Sequence, residues 1–276
     1  MSLTSILLAL QPGQNNQPLL TAGAALAARF GAHVEGIALA HPLRVSPSDV
    51  YLASDLAVED RSLRMEQMQT AEAAFRQAMQ GQAPSIAWHA DLTSADVATE
   101  IDAHARASDF IMVASEVQQS PGEAAPSFRI GDLIMQAGRP VLVVPPVGAE
   151  TRLQHGLIAW KDSAPARRAL ADSLPLLRKC RQVTITEIVP ESELAEARRR
   201  LRLIAGWLAR HGIESSQHPA AAVGDDAGRL QQIATEQKAD LLIAGAYAHS
   251  RMQEWIFGGV TRTLLSRPRL CTLLSH

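Results

Sequence analysis

The chain has 276 residues, room for two domains of ordinary size. Its 47% apolar and 20% charged residues fit a chain that buries real cores. A formal net charge of -2 leaves no bulk positive field to attract nucleic acid or anionic lipid. The predicted elements then alternate along the chain. Ile6 to Leu10 is an apolar strand, which with no basic residue before it does not read as a signal peptide. Gln17 to Phe30 is helical, His33 to Ala40 a strand, Val58 to Gln80 a long helix closed by Gly81, and Ser85 to Ala90 a third strand. Ser94 to Ala107 reads as a helix with Ser94 as N-cap. Asp109 to Ser115 is a strand, Ser127 to Ala137 a helix ending at Gly138, and Val141 to Val144 a fifth strand stopped by Pro145-Pro146.

The order then starts again. Gly156 to Trp160 is a strand and Ala164 to Arg178 a helix capped by Ser163, which precedes Pro165. Gln182 to Val189 is a strand, Ser192 to His211 a helix closed by Gly212, and Ser216 to Ala221 a weak strand. Asp225 to Gln237 is a helix with Asp225 or Asp226 at its cap, and Leu241 to Gly245 a strand. Gly259 to Ser266 is a helix, and Leu270 to Leu274 the last strand. Unbroken apolar strands between helices indicate parallel sheets covered on both faces. The expected fold is α/β: two tandem, doubly wound, five-stranded parallel-sheet domains, at residues 1–148 and 153–276.

Matched residues support a repeat. Ala9 pairs with Ala159 at an offset of 150, Asp109 with Asp240 at 131, and Pro140 with Pro268 at 128. The first copy therefore carries an insertion of about twenty residues, placed by its prolines around Leu43 to Ala57.

Chemistry-bearing patterns are few. Cys180 and Cys271 are too few for a disulfide framework and read as buried thiols. The nine histidines lack metal-ligand spacing, with His89 and His218 near the third strands, and no metal is expected. Arg198, Arg199, Arg200 and Arg202 read as a solvated helix face. Met65, Met68 and Trp207, at helical spacing, read as core, whereas Trp255 and Phe257 sit in a loop as surface or packing residues. There is no nucleophile elbow, P-loop or Gly-x-Gly-x-x-Gly, and no catalytic residue is assigned. The sharpest pattern is Gly245-Ala246-Tyr247-Ala248-His249-Ser250-Arg251 followed by Phe257-Gly258-Gly259-Val260-Thr261-Arg262. It starts at the carboxyl end of a strand and finishes at a helix start, where open α/β sheets bind ligands and backbone N–H groups suit phosphate. A tight turn needing only small residues accounts for it equally well.

That order, with Leu157 to Ser163 and the helix carrying Ala166, Ala169, Leu170 and Leu174, resembles the universal stress protein family. The resemblance covers nearly all of the second half. In the first it rests on strand order, Gly131 and Arg139-Pro140. It implies a cytoplasmic, non-catalytic stress-response protein, with ATP or AMP as the cofactor to test. By position, the family's nucleotide contacts fall on Ala159, Trp160, Lys161, Ile188, Val189, Gly245, Tyr247, Ala248, His249, Arg251, Gly258, Gly259, Val260 and Thr261. The loop departs from the family pattern at Ala248 and Gly259, and Lys161 stands where nucleotide-binding members carry Asp. The first copy has Gln11 there and Ser115 to Gly122 in place of the glycine loop, so ATP is not expected in it. The alternatives are a weak ATPase using Lys161 and Gly258-Gly259, and a nucleotide-independent assembly module. Expected partners are a small ligand, no nucleic acid and no membrane. The resemblance also implies a pseudo-dimer of the two domains with room for further homodimerisation, built on the fifth strands.

Overall fold

A computed structural model describes residues 2–43, 50–115, 127–147, 151–246, 264–265 and 268–276. The chain divides into two compact units, residues 4–139 and residues 140–276 joined by 1–3.

In the N-terminal unit the order is β1 (Ser5–Leu10), α1 (Gln17–Phe30), β2 (His33–Ala40), α2 (Val50–Met79), β3 (Ile86–Leu92), α3 (Val97–Ala105), β4 (Phe110–Ala114) and α4 (Ile130–Gln136). The strands lie in the order β3-β2-β1-β4, all parallel. Central β1 is buried from Ile6 to Leu10, while edge strand β3 alternates between exposed and half-buried. One face of α2 supplies Met68, Ala71, Phe75 and Met79 to the core at helical spacing. Gly36 on β2 lets this helix close on the sheet, because a Cβ there would lie 2.6 Å from the Trp88 ring and 3.0 Å from that of Phe75.

The C-terminal unit begins with β5 (Val141–Val144). It continues with β6 (His155–Ala159), α5 (Ala164–Asp172), α6 (Leu174–Leu177), β7 (Gln182–Val189), α7 (Leu194–Arg210), β8 (Ser216–Ala221), α8 (Asp226–Glu236), β9 (Leu241–Gly245) and β10 (Cys271–Ser275). Its strand order is β5-β10-β9-β6-β7-β8. The two fifth strands meet here: β10 runs parallel to β9 but antiparallel to β5, with Leu273 opposite Leu142. Pro219 is accommodated because β8 is an edge, where a missing N–H costs no ladder bond.

The repeated aspartates have a shared structural task. The carboxylate of Asp109 accepts from the backbone N–H groups of Thr4 (2.6 Å) and Ser5 (3.0 Å), and that of Asp240 from Gln154 (2.8 Å) and His155 (3.0 Å). Asp109 thereby fastens the start of β1 to that of β4, and Asp240 the start of β6 to that of β9.

Several boundaries differ from the sequence expectation. Helix α2 starts at Val50, so much of the extra segment of the first copy is helix; residues 44–49 are outside the described set. Helix α3 starts at Val97 and is capped by Asp96, whose carboxylate accepts from Thr99 N–H (2.9 Å) and Thr99 Oγ1 (2.8 Å); Ser94 does not cap it. The first helix of the second copy breaks at Ser173, whose hydroxyl donates back to the Leu170 carbonyl before Pro175. The stretch Glu191–Glu193 is a 3-10 turn leading into α7. Caps Ser163 and Asp225 stand as expected, accepting from Ala166 N–H (3.3 Å) and Gly228 N–H (2.6 Å). Met68 is core, but Met65 is exposed and Trp207 only half-buried.

Two predictions arise here. The Thr99 hydroxyl and N–H hold the Asp96 carboxyl below its usual 3.8. A depressed folded-state pKa contributes stability above the unfolded value and loses it as pH falls through the folded one. Asp96→Ala should therefore cost about 1 kcal/mol at neutral pH, and the difference should begin to shrink as urea melts are carried below pH 3.8. Burial pushes the Cys271 thiol up to about 12, while Cys180 is only half-buried. Titration with a thiol reagent at pH 8 should find one reactive cysteine per native chain, Cys180, and a second only after denaturation.

Candidate functional site

The C-terminal sheet reverses its connectivity at β6. From β6 the chain passes through α5 to β7 on one side, while β9, its neighbour on the other, leads to β10. The carboxyl ends of β6 and β9 therefore border a crevice of the type that binds ligands in open α/β sheets. Ala159 is in register with Ala244, so Trp160-Lys161 and Gly245-Ala246 leave the sheet side by side. Asp162 and Ser163 follow, and Ser163 opens α5, whose dipole gives the mouth a partial positive charge beside exposed Lys161, although Pro165 has no N–H and Ser163 already accepts from Ala166 and Arg167 N–H.

Gly245 is required by packing. A Cβ on it would lie 2.4 Å from Ala166 N and 2.6 Å from the Pro165 carbonyl carbon, so β9 touches the backbone of the first turn of α5. Ala246 N–H donates to Ser275 (2.9 Å), which holds the chain to β10 as it leaves β9.

The sequence-predicted residues part company at this point. Ala159, Lys161 and Gly245 sit together at the crevice. Ile188 and Val189 end β7 at the same edge, but the Val189 carbonyl already accepts from Ala222 N–H (2.9 Å). Trp160 is buried; its backbone N–H donates to Thr186 (2.8 Å), and its ring lines a separate cleft between α5 and α7. Tyr247, Ala248, His249, Arg251, Gly258, Gly259, Val260 and Thr261 lie outside the described residues, as do Trp255 and Phe257.

The N-terminal unit has the same switch point, between β1 and β4, but different chemistry. Gln11 is buried at the end of β1, its backbone N–H and carbonyl both bonded to the Asn16 side chain. Its Oε1 and the Oγ of buried Ser115, at the end of β4, have no hydrogen-bond partner among the described residues. Two orphaned oxygens at the ends of neighbouring strands are a costly arrangement that sequence reading missed; only burial reveals it. Among the described residues no three His, Cys, Asp or Glu side chains are grouped to hold a metal. His89 and His104 stack with ring centroids 4.4 Å apart, and His104 bonds Glu35 (3.1 Å). No helix among the described residues is long and apolar enough to cross a membrane.

Neither a family model nor a curated protein sequence matches the chain. Solved structures do. A universal stress protein from Archaeoglobus fulgidus superposes with a TM-score of 0.76 at 15% identity, covering 98% of this chain and 97% of that one. A candidate universal stress protein from Pseudomonas aeruginosa gives a TM-score of 0.63 at 15% identity, covering 99% and 93%. A P. aeruginosa protein of unknown function gives 0.60 at 15% identity, covering 99% and 92%. The fold of the chain, over nearly its whole length, is that of the universal stress proteins.

Proposed function

We propose that this chain is a non-catalytic, stress-response binding protein of the universal stress type, two copies in one polypeptide, working in the cytoplasm. Its C-terminal unit takes an adenine nucleotide at the carboxyl ends of β6 and β9. The observation that carries this reading is the convergence, at the switch point, of the β9 exit, the α5 N-terminus and exposed Lys161. A phosphate there meets a mobile ammonium and the positive end of the α5 dipole, in place of the carboxylate that the family resemblance led one to expect. The N-terminal crevice offers neutral Gln11 and Ser115 and no cation at the same position, which makes the pair asymmetric.

The test is mass spectrometry of the purified full chain after denaturation. The reading expects AMP, ADP or ATP released at up to one equivalent per chain. Release of a different small molecule in that amount would replace the nucleotide with another ligand class.

A further inference from the structure

Between α5 and α7, on the flank of the C-terminal sheet and reaching Trp160 and Asp162 on either side of Lys161, lies a cleft of about 470 Å³. That is the size range of small-molecule sites. Its walls are Trp160, Leu170, Leu203, Ile204 and Trp207. Leu203 is 73% exposed although it sits on an amphipathic helix with buried positions to spare, and Trp207 is only half-buried. Three arginines stand over these apolar walls, with Asp162 as the one acidic side chain lining the cleft. Arg167 pairs with Asp162, and Arg200 with Glu187 (3.0 Å) and Glu196. Exposed Arg210 has no ion pair among the described residues. Trp160, only 6% exposed, keeps an indole N–H that is buried without an acceptor among the described residues, an arrangement proteins rarely leave unsatisfied.

The fold does not demand this lining. The corresponding groove of the N-terminal unit, between α1 and α2, has nearly the same volume, about 460 Å³, but sets amides and Glu66 beside Leu20, Leu63, Ala71 and Ala74, and no arginine lines it. The same architectural place is thus of mixed polarity and without arginine in one unit, and more apolar with a cationic rim in the other.

We infer that the α5–α7 cleft is a second ligand site, for an amphipathic organic anion of small-molecule size. The apolar body lies against Leu203, Ile204 and Trp207, and the anionic head pairs with Arg210. A slight turn of the Trp160 indole toward an acceptor on the ligand satisfies its N–H. Charge complementarity selects an anion over a neutral or cationic molecule of the same shape. The site differs from the proposed nucleotide site in that neither Lys161 nor Gly245 lines it, although Trp160 borders both.

The test is a fluorescence titration of the full chain with 1-anilinonaphthalene-8-sulfonate and with its uncharged analogue N-phenyl-1-naphthylamine. The expected result is one saturable site that prefers the sulfonate by about tenfold. Arg210→Glu should remove that preference without affecting the uncharged probe. Leu203→Glu, or the milder Leu203→Gln, should abolish binding of both. Leu63→Glu, at an exposed leucine of the N-terminal groove, should change neither. Equal affinity for the two probes, or undiminished binding in both Leu203 variants, would overturn the proposal. So would light scattering showing a wild-type dimer that Leu203→Glu dissociates, because a second copy of the chain would then fill the cleft.

Discussion

Gly245→Ala should destabilise the chain by about 3 kcal/mol, read as a lower urea midpoint with an unchanged slope. The methyl group is the clashing atom itself. It would sit 2.4 Å from Ala166 N and 2.8 Å from Ala166 Cα, and both belong to a helix backbone fixed by the Ser163 cap and Pro165. A flexible side chain could move aside; a capped first turn cannot without lifting α5 off β9. The loss should be the same with and without added nucleotide if packing alone sets it. That separates the structural need for glycine here from any contact with a ligand. An unchanged midpoint would mean that α5 and β9 do not approach this closely.

Phe75→Ala should cost about 4 kcal/mol, the range for deleting a large buried ring. Phe75 is fully buried on α2, stacks on Trp88 with centroids 5.3 Å apart, and closes the space that Gly36 leaves open. The surrounding elements cannot collapse into the hole, since Gly36 has no side chain to lend and Trp88 is held in β3. Leu63→Ala, on the exposed face of the same helix, should stay within about 0.5 kcal/mol of wild type. Thermal or urea melts of the two variants side by side check the contrast.

The fold was legible where burial imposes a simple pattern. Strands β2, β5, β7, β8 and β9 and helix α1 run between the residues that the sequence indicates. Most of these carry apolar runs or regular alternation bounded by turn residues, signals that survive any tertiary context. What failed was chosen by local competition. Asp96 took the cap of α3 from Ser94 because its carboxylate reaches both Thr99 donors. The Ser173 hydroxyl and Pro175 together broke a helix whose apolar period runs straight through them. Met65 and Met68 are three residues apart on one helix, yet one is exposed and the other buried, because α2 meets the unit along a narrower stripe than the apolar pattern suggests.

The candidate site was legible as a position more than as a set of contacts. Lys161 and Gly245 could be placed together from strand order alone, since the switch point follows from connectivity. Trp160 could not. Its neighbours in sequence belong to the crevice, but its ring lies in the α5–α7 cleft, and only packing decides between the two. Gly245, which the family resemblance makes a nucleotide contact, has a sufficient cause in the backbone of α5.

The central claim is one nucleotide per chain, held by the C-terminal unit. Isothermal titration of the full chain with ATP and with AMP tests it most directly. The account predicts a single site per chain, weakened about tenfold or more in Lys161→Glu and unchanged in Gln11→Met. No heat of binding at millimolar nucleotide, or two equivalent sites indifferent to Lys161, would contradict it.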